Sequence, residues 1–415
     1  MEGLQPIYRR VAGIDVHRML HVVTVVIEQA DGSIEQSSRE FGVFKRDCRA
    51  LSFWLAEQGV ELVVMESTGI YWQSLYSHIE RAGIETWVVN AHFVKHVPGR
   101  KTGMSDSQWL AVLARFGLVR GSFIPPQDLR ELRMLSRYRR KLNTMRASEI
   151  NRLHKILDDG GIKLGSVVSD INGVSAREMV AGLIEGRPIE SLPNMARGAL
   201  KLKLKRADLQ AALDGDLTQR HLFVLEHLHA HIDVLERHLA ELDAYILGAM
   251  TPYDWAHRLL QTIPGIDQIA SALILIEIGD DMTRFGCAER LATWAVLCPG
   301  NNESAGRRKS GRTRNGNAII RYILCECANA ARMTKSSLAA KYKSLMVRKT
   351  HKKTIVAVAH KMIRLIYLLL TRREPYRDSM VDYEAMSAKK NAPRWIKQLK
   401  LIGQWPEKTP APASA

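Results

Sequence analysis

Apolar runs of strand length alternate with helical spacing over about the first 120 residues. The valine-rich second run is followed by the turn dipeptide Asp31-Gly32, which predicts a connection into the next extended stretch. Apolar residues recur at helical spacing at Leu51, Trp54 and Leu55. The predicted strands are 11–16, 21–27, 34–43, 61–65 and 84–89, and the predicted helices are 46–58, 71–82 and 107–116.

Three consecutive strands followed by strand–helix units are typical of a ribonuclease-H-like domain, so the pattern predicts an α/β fold. A dinucleotide-binding fold is disfavoured because Gly13 stands alone, with no glycine-rich turn leading into a helix. The alternation stops near residue 125, where long polar helices begin.

Two long helices are predicted in the middle of the chain, over 127–157 and 217–250, with short helices and loops over 162–215. The second long helix has near-heptad apolar positions at Leu222, Leu225, Leu228, Ile232, Leu235, Leu239 and Leu242. One interpretation is an antiparallel helical hairpin that packs on itself. The other is a coiled-coil arm or dimerisation element that also carries a basic face.

A mainly helical domain is predicted from residue 252 to residue 346. Its Ile263-Pro264-Gly265-Ile266 stretch, before an apolar helix, is similar to a helix-hairpin-helix, whose glycine turn offers N–H groups to a phosphate. A plain packing turn is the alternative. The stretch 299–316 contains four glycines and predicts a loop, and an amphipathic helix over 354–370 is predicted to cap the domain. The predicted domains are 1–125, 126–251, 252–346, a basic helical extension over 347–405 and a disordered tail over 406–415.

Positive charge is in excess and is unevenly distributed. The chain has 60 Lys and Arg against 43 Asp and Glu, a net charge of +17 and a pI of about 9.7, which favours a polyanionic partner, nucleic acid or an anionic membrane. Glu326 is the one acid between residues 305 and 353, and a merely solvated face would mix charge signs. We therefore predict phosphate-backbone contacts by Arg137, Arg139, Arg140, Lys141, Arg307, Arg308, Lys309, Arg312 and Arg314.

Several classes of protein are disfavoured by the sequence. The most apolar window, 355–370, is interrupted by His360, Lys361 and Arg364, so neither a transmembrane helix nor a membrane partner is predicted. The N-terminus lacks the pattern of a signal peptide. Five cysteines, an odd and sparse set, predict neither a disulfide framework nor a zinc site, and we expect a cytoplasmic protein.

Three carboxylates of the first domain are candidates for metal binding. Asp15 lies inside an apolar strand, where a charge is costly unless it is paired or metal-bound. Glu66 follows a buried strand, and Asp106 begins a helix. Hard oxygen ligands favour Mg²⁺, which could activate a nucleophile on a phosphodiester. The alternatives are a capping role for Asp106 and a loop position for Glu66.

Short motifs in both halves of the chain resemble one family. In the first domain they are Gly-Ile-Asp-Val-His at 13–17, Met-Glu-Ser-Thr-Gly-Ile-Tyr-Trp at 65–72 and Pro-Gly-Arg-Lys-Thr at 98–102. Later motifs are Ile-Pro-Gly-Ile at 263–266, Glu-Ile-Gly-Asp at 277–280, 285–297, Pro-Gly at 299–300, Glu-Ser-Ala-Gly-Arg at 303–307 and Arg-Asn-Gly-Asn at 314–317. Together they resemble the DEDD transposases of bacterial insertion sequences, the IS110 family, over roughly residues 10–345.

The resemblance implies a RuvC-like first domain that holds Mg²⁺ through Asp, Glu, Asp and Asp. Asp15, Glu66 and Asp106 match the first, second and last of these positions. The third belongs three residues before the last, where Gly103 stands and offers no ligand atom.

The resemblance also implies a serine nucleophile in the carboxy-terminal domain, and Ser304 matches its position, with Ser310 as the nearest competitor. Neighbouring cations, Arg307 among them, could bind the scissile phosphate. The family further implies a structured guide RNA that base-pairs to donor and target DNA. It also implies homodimers or homotetramers in which two protomers share an active site.

Three functions follow from these observations. The leading hypothesis is a transposase or recombinase of a bacterial insertion sequence, associated with the nucleoid, that cuts and rejoins DNA through Ser304 and the acidic site. A RuvC-like metal-dependent nuclease or resolvase would leave Ser304 with a structural role. A catalytically impaired nucleic-acid-binding homologue is the third hypothesis, and only Gly103 supports it.

Overall fold

The computed structural model describes residues 5–91, 94, 97, 103–197, 206–300, 302–310, 313 and 316–405, with the backbone alone at 206, 302–304 and 308–310. The chain divides into two compact units, residues 1–127 and 128–415. The predicted disordered tail, Arg312 and Arg314 lie outside the described residues.

The first unit is built on a five-stranded mixed sheet in the order β3-β2-β1-β4-β5. The first three strands are antiparallel, and β4 and β5 run parallel to β1, which confirms the predicted order of elements. The strands are β1 (Arg10–Val16), β2 (His21–Glu28), β3 (Ile34–Phe41), β4 (Leu62–Glu66) and β5 (Glu85–Val89). The helices are α1 (Lys45–Glu57), α2 (Trp72–Arg81) and α3 (Asp106–Arg115).

Helices cover both faces of this sheet. Because strand side chains alternate, Ile14 packs with Leu51 and Ile79 under α1 and α2. Val11, on the opposite face, packs with Leu110 under α3. The sheet is therefore the middle one of three layers. Polar residues lie at the ends of its strands.

The second unit is almost entirely helical in its described residues. Its helices are α4 (Gln127–Asp159), α5 (Leu164–Val167), α6 (Val174–Ile184), α7 (Arg206–Leu213), α8 (Gln219–Gly248), α9 (Asp254–Gln261), α10 (Gln268–Ile278), α11 (Ala288–Trp294), α12 (Ala318–Ala331), α13 (Ser337–Met346), α14 (His351–Arg372) and α15 (Tyr383–Leu401). Short 3₁₀ helices occur at Ile189–Met195, Thr251–Tyr253 and Met282–Arg284. A small hairpin is formed by β6 (Asn302–Ser304) and β7 (Arg307–Ser310), within the stretch predicted to be a loop.

The long helices α4 and α8 form an antiparallel hairpin that packs on itself. Leu142 of α4 packs against Leu235 and Leu239 of α8, while Leu153 lies in one core cluster with Leu225. The near-heptad seam of α8 is thus filled from within the chain. Of the two interpretations, the structure supports the self-packed hairpin, since Leu225, Leu228, Leu235 and Leu239, four of the leucines in the seam, are buried inside the unit.

Helix α14 is a core helix of the second unit. By length and composition it could cross a membrane, yet half of its most apolar stretch is buried inside the protein. It packs against α9, α11, α12 and α13, with Val358, Met362 and Ile366 fully buried. The predicted amphipathic helix is confirmed, although it lies at the centre of its unit and does not merely cap it.

Candidate active site

Two of the predicted metal ligands lie side by side in the sheet. Strands β1 and β4 pair in parallel with Gly13 opposite Val64 and Ile14 opposite Met65, so the next step of the register brings Asp15 beside Glu66. Alternation along each strand places both acids on the α3 face. Because both strands end here, the carboxylates lie at one edge of the sheet.

Helix α3 brings the third acid toward the same edge. A Cβ added to Gly13 would lie 2.1 Å from the Ser107 carbonyl oxygen and 2.4 Å from the Ala111 nitrogen, so the helix backbone touches β1. The opposite end of α3 returns to the start of β1, where the Arg115 carbonyl accepts a hydrogen bond from Tyr8. The helix therefore runs antiparallel to β1, and its first residue, Asp106, lies toward the Asp15 end. Asp15, Glu66 and Asp106 are called the acidic edge below.

The capping alternative for Asp106 is excluded by the helix start. Ser105 is the N-cap: its hydroxyl accepts a hydrogen bond from the Gln108 N–H at 3.3 Å, and its own N–H donates to Gln108 Oε1 at 3.0 Å. Asp106 is the first helical residue, where the helix dipole stabilises a carboxylate. Its acid group is therefore not required for capping.

Asp15 has one neighbour that sequence reasoning missed. The His17 Nε2 atom lies 2.9 Å from Asp15 Oδ2, and the Asp15 side chain is 21% exposed. His17 directly follows β1, two residues after Asp15, so the period of an extended chain could have indicated that they share a face. His17 therefore contacts the Asp15 carboxylate, which stays partly exposed to solvent.

The acidic edge is not a closed metal site. Among the described residues, no three His, Cys, Asp or Glu side chains are close enough together to hold an ion. Gly103, which stands where a fourth acid was expected, has a left-handed φ of 83°, and no atom of the described residues lies within 4 Å of an added Cβ. The position has room for a side chain but a backbone that favours glycine.

Ser304 ends the first strand of a tight hairpin. The ladder pairs Ser304 with Arg307 and Glu303 with Arg308. Ala305 and Gly306 form the two-residue turn, with φ values of 49° and 73°, as turns with two left-handed residues require. We call β6, this turn and β7 the serine hairpin. It places the backbone of Ser304 directly opposite that of the exposed Arg307.

A buried ionic cluster anchors the chain just after the serine hairpin. Glu277 of α10 is fully buried, and its Oε2 atom accepts a 2.6 Å hydrogen bond from the Asn317 side chain and lies 3.3 Å from the Arg133 Nε atom. Asn317 also caps α12 by accepting the Ile319 N–H at 3.0 Å. The second carboxylate oxygen, Oε1, has no hydrogen-bond partner among the described residues. The sequence signal for Glu277 was a single acid in an apolar helix, the same signal that identified Asp15.

Two family models match this chain. One, for DEDD transposases of the IS110 type, matches residues 12–161, and the other, described as Transposase IS116/IS110/IS902 family, matches residues 257–343. The chain belongs to the IS110 family of transposases. The acidic edge lies within the first match and the serine hairpin within the second.

Relatives of known name extend along most of this transposase. The transposase for insertion sequence element IS1111A of Coxiella burnetii is 24% identical over 334 residues, covering 78% of this chain and 81% of its own length. A protein of Pseudomonas aeruginosa named "Probable family 20 transposase" is 23% identical over 324 residues, covering 76% of this chain and 86% of its own. Among solved structures, RuvC of Thermus thermophilus covers 27% of this chain and 99% of its own, with 15% identity and a TM-score of 0.22.

The glycine turn predicted to bind phosphate packs inside this transposase. A Cβ on Gly265 would lie 2.5 Å from the Ala331 nitrogen and the Cys327 carbonyl oxygen of α12. The Asp267 carboxylate caps α10 and accepts the Ala270 N–H at 2.8 Å. A negative group at the helix N-terminus repels a phosphate there, so the structure favours the plain packing turn.

Part of the predicted basic face of α4 forms ion pairs within the transposase. Arg139 donates hydrogen bonds to both carboxylate oxygens of Asp243 on α8, and this bonding raises the pKa of the guanidinium. Arg139 is thus a link within the helical hairpin, and its role on nucleic acid stays a prediction. Arg140 lies over the Tyr322 ring at 4.7 Å, and Arg137 and Lys141 are exposed. These three keep the predicted role.

Proposed function

We propose that this transposase breaks and rejoins DNA with Ser304 as its nucleophile and with a divalent cation, Mg²⁺, at the acidic edge. The observation that carries the proposal is the register that sets Asp15 beside Glu66 at a strand end, under the helix that starts with Asp106. None of the three side chains is buried, and hard oxygen ligands at one edge suit Mg²⁺. When bound, the ion would stabilise negative charge developing on a phosphodiester.

The Ser304 step exchanges one phosphate ester bond for another. The Ser304 Oγ atom attacks the phosphorus and forms a phosphoserine ester, while the bond to the leaving deoxyribose oxygen breaks and that oxygen takes up a proton. The Oγ proton passes to a general base. A strand hydroxyl then attacks the phosphoserine ester, which rejoins DNA and releases Ser304. Arg307, opposite Ser304 in the hairpin, would stabilise charge on the phosphate.

We also propose that a structured guide RNA selects donor and target DNA by base pairing, and that the transposase acts as a homodimer or homotetramer. When base pairing with a guide RNA selects the DNA sequence, the protein itself needs to bind the nucleic-acid backbone by charge. Exposed Arg137, Arg140 and Lys141 on α4 and the excess of 17 positive charges support this role.

Strand transfer separates this proposal from a metal-dependent nuclease. Purified transposase, RNA transcribed from its own element, and donor and target plasmids are incubated with Mg²⁺, and protein–DNA adducts are mapped by mass spectrometry. We expect Ser304→Ala to abolish adducts and transfer, and Ser310→Ala, the matched control, to retain both. Asp15→Asn should abolish cleavage.

Other outcomes would assign a different chemistry. If Ser304→Ala protein still cuts DNA, a metal-activated water is the nucleophile and Ser304 is structural. An adduct mapped to another serine would refute the Ser304 assignment. If the wild-type protein binds both plasmids but cuts neither, the chain is an impaired homologue.

A further inference from the structure

Helix α15 lies beyond both family matches and is docked along one side. Its Ser387 hydroxyl donates a 3.4 Å hydrogen bond to the Ser344 carbonyl of α13, and Glu384 lies 3.2 Å from the Lys343 Nζ atom. The Lys361 Nζ atom donates to the Tyr383 hydroxyl at 2.8 Å. These contacts hold the N-terminal half of α15 on the unit and fix which side faces outward.

The charged residues on the outward side of α15 are all basic. After Glu384 the helix has no acid, and none of its side chains is buried. In the part of the chain that the structure describes, none of its outward cations forms an ion pair. The exposed outward cations are Lys389, Lys390, Arg394, Lys397 and Lys400.

The spacing of these cations matches a nucleic-acid backbone. At 1.5 Å per residue, Lys389 and Lys400 are about 16 Å apart along the helix axis, long enough to meet several phosphates. Unpaired cations of one sign, held on a docked helix, favour a polyanion because each contact releases counterions.

We propose that the outward side of α15 is a second DNA-binding surface that contacts the backbone of duplex DNA without reading its sequence. Duplex DNA is favoured over duplex RNA because an α-helix can approach the phosphates that border the B-form major groove, about 12 Å wide, whereas the A-form major groove is deep and narrow. Exposed apolar residues, Met386, Trp395 and Leu401, also occur on α15, so a membrane surface is the alternative that the vesicle measurement tests.

The test compares two triple substitutions of equal charge in the full-length chain. One variant carries Lys390→Gln, Arg394→Gln and Lys397→Gln. The control carries Lys45→Gln, Arg46→Gln and Arg49→Gln on α1, where exposed cations flank Asp47 and Arg46 pairs with it at 3.4 Å. Glutamine keeps helix propensity close to that of lysine and arginine. Circular dichroism confirms that both variants fold.

Binding to a 25-base-pair DNA duplex is measured by fluorescence anisotropy from 50 to 250 mM salt, without Mg²⁺ so that no strand is cut. We expect the α15 variant to bind about tenfold to a hundredfold more weakly at 150 mM salt. Its log–log salt slope should fall by about 2.7, since each of the three lost phosphate contacts contributes about 0.9. The control should retain wild-type affinity within about threefold.

Three outcomes would overturn the assignment. Equal losses in both triple variants would mean a general charge effect. A larger loss on a 25-base-pair RNA duplex than on DNA would assign the surface to RNA. Unchanged DNA binding with lost binding to phosphatidylserine vesicles would assign it to membranes. The assay involves no strand cleavage, so failure of Ser304 as nucleophile would leave this result unaffected.

Discussion

Replacing Glu277 with alanine should destabilise the second unit by about 3–5 kcal/mol, the cost of leaving a buried charge without its partner. Glu277 is fully buried and Arg133 is 14% exposed, so water cannot replace the lost carboxylate. Burial already lowers the pKa of the Arg133 guanidinium, which the Glu277 charge opposes. The Asn317 amide would also lose its acceptor, at about 1–3 kcal/mol, while the Ile276 and Glu277 carbonyls still accept from Arg133 and offset part of the loss.

The pair itself is not an optimal source of stability. One Glu277 oxygen lacks a hydrogen-bond partner in the part of the chain that the structure describes, and desolvating two charges cancels most of their attraction. A double variant, Glu277→Leu with Arg133→Met, should therefore recover most of the stability lost in either single variant. The expected coupling free energy is about 2–4 kcal/mol, as for buried charge pairs.

Urea denaturation, with hydrogen exchange of α10 and α12 peptides to report on the second unit, measures these changes. Arg258→Ala is the matched control, because its pair with Asp254, at 2.9 Å, is 78% and 50% exposed and is worth at most about 0.5 kcal/mol. A loss below about 1 kcal/mol for Glu277→Ala, or a double variant as unstable as the sum of the singles, would refute the reasoning.

Two glycines of the first unit give further predictions. Gly13→Ala should lower the free energy of unfolding, measured by thermal denaturation, by about 3 kcal/mol, since the new methyl overlaps the α3 backbone. The control, Gly248→Ala, has no atom of the described residues within 4 Å of the new methyl and should change this free energy by less than about 1 kcal/mol. An unchanged melting curve for Gly13→Ala would contradict the close approach of α3. Gly103→Asp should cost about 1–2 kcal/mol because of its left-handed φ, and should raise Mg²⁺-dependent strand cleavage. Lower or equal cleavage would mean that the acidic edge needs no fourth acid.

Local periodicity was sufficient to predict the strand and helix order of the first unit and the seam of the α4–α8 hairpin. It failed at the serine hairpin, where four nearby glycines predicted a loop. The left-handed pair Ala305-Gly306 is a weaker hairpin signal than an Asn-Gly pair would be. It also gave no sign of the pairing of Arg139, whose partner Asp243 is 104 positions away. A basic residue on a polar helix gives no local sign of whether another helix will neutralise it.

Asp15 and Glu277 share one sequence signal, an acid inside an apolar run. The structure accommodates these two charges in opposite ways. Glu277 is sealed from water and held by Arg133, 144 positions away, as an acid retained for structure should be. Asp15 stays partly exposed, with His17 as its neighbour, and among the described residues no lysine or arginine pairs with it. A buried charge requires a partner at folding, whereas an acid at an open strand end can acquire a cation later. This difference in pairing, which no spacing rule predicts, favours Asp15 over Glu277 as the ligand.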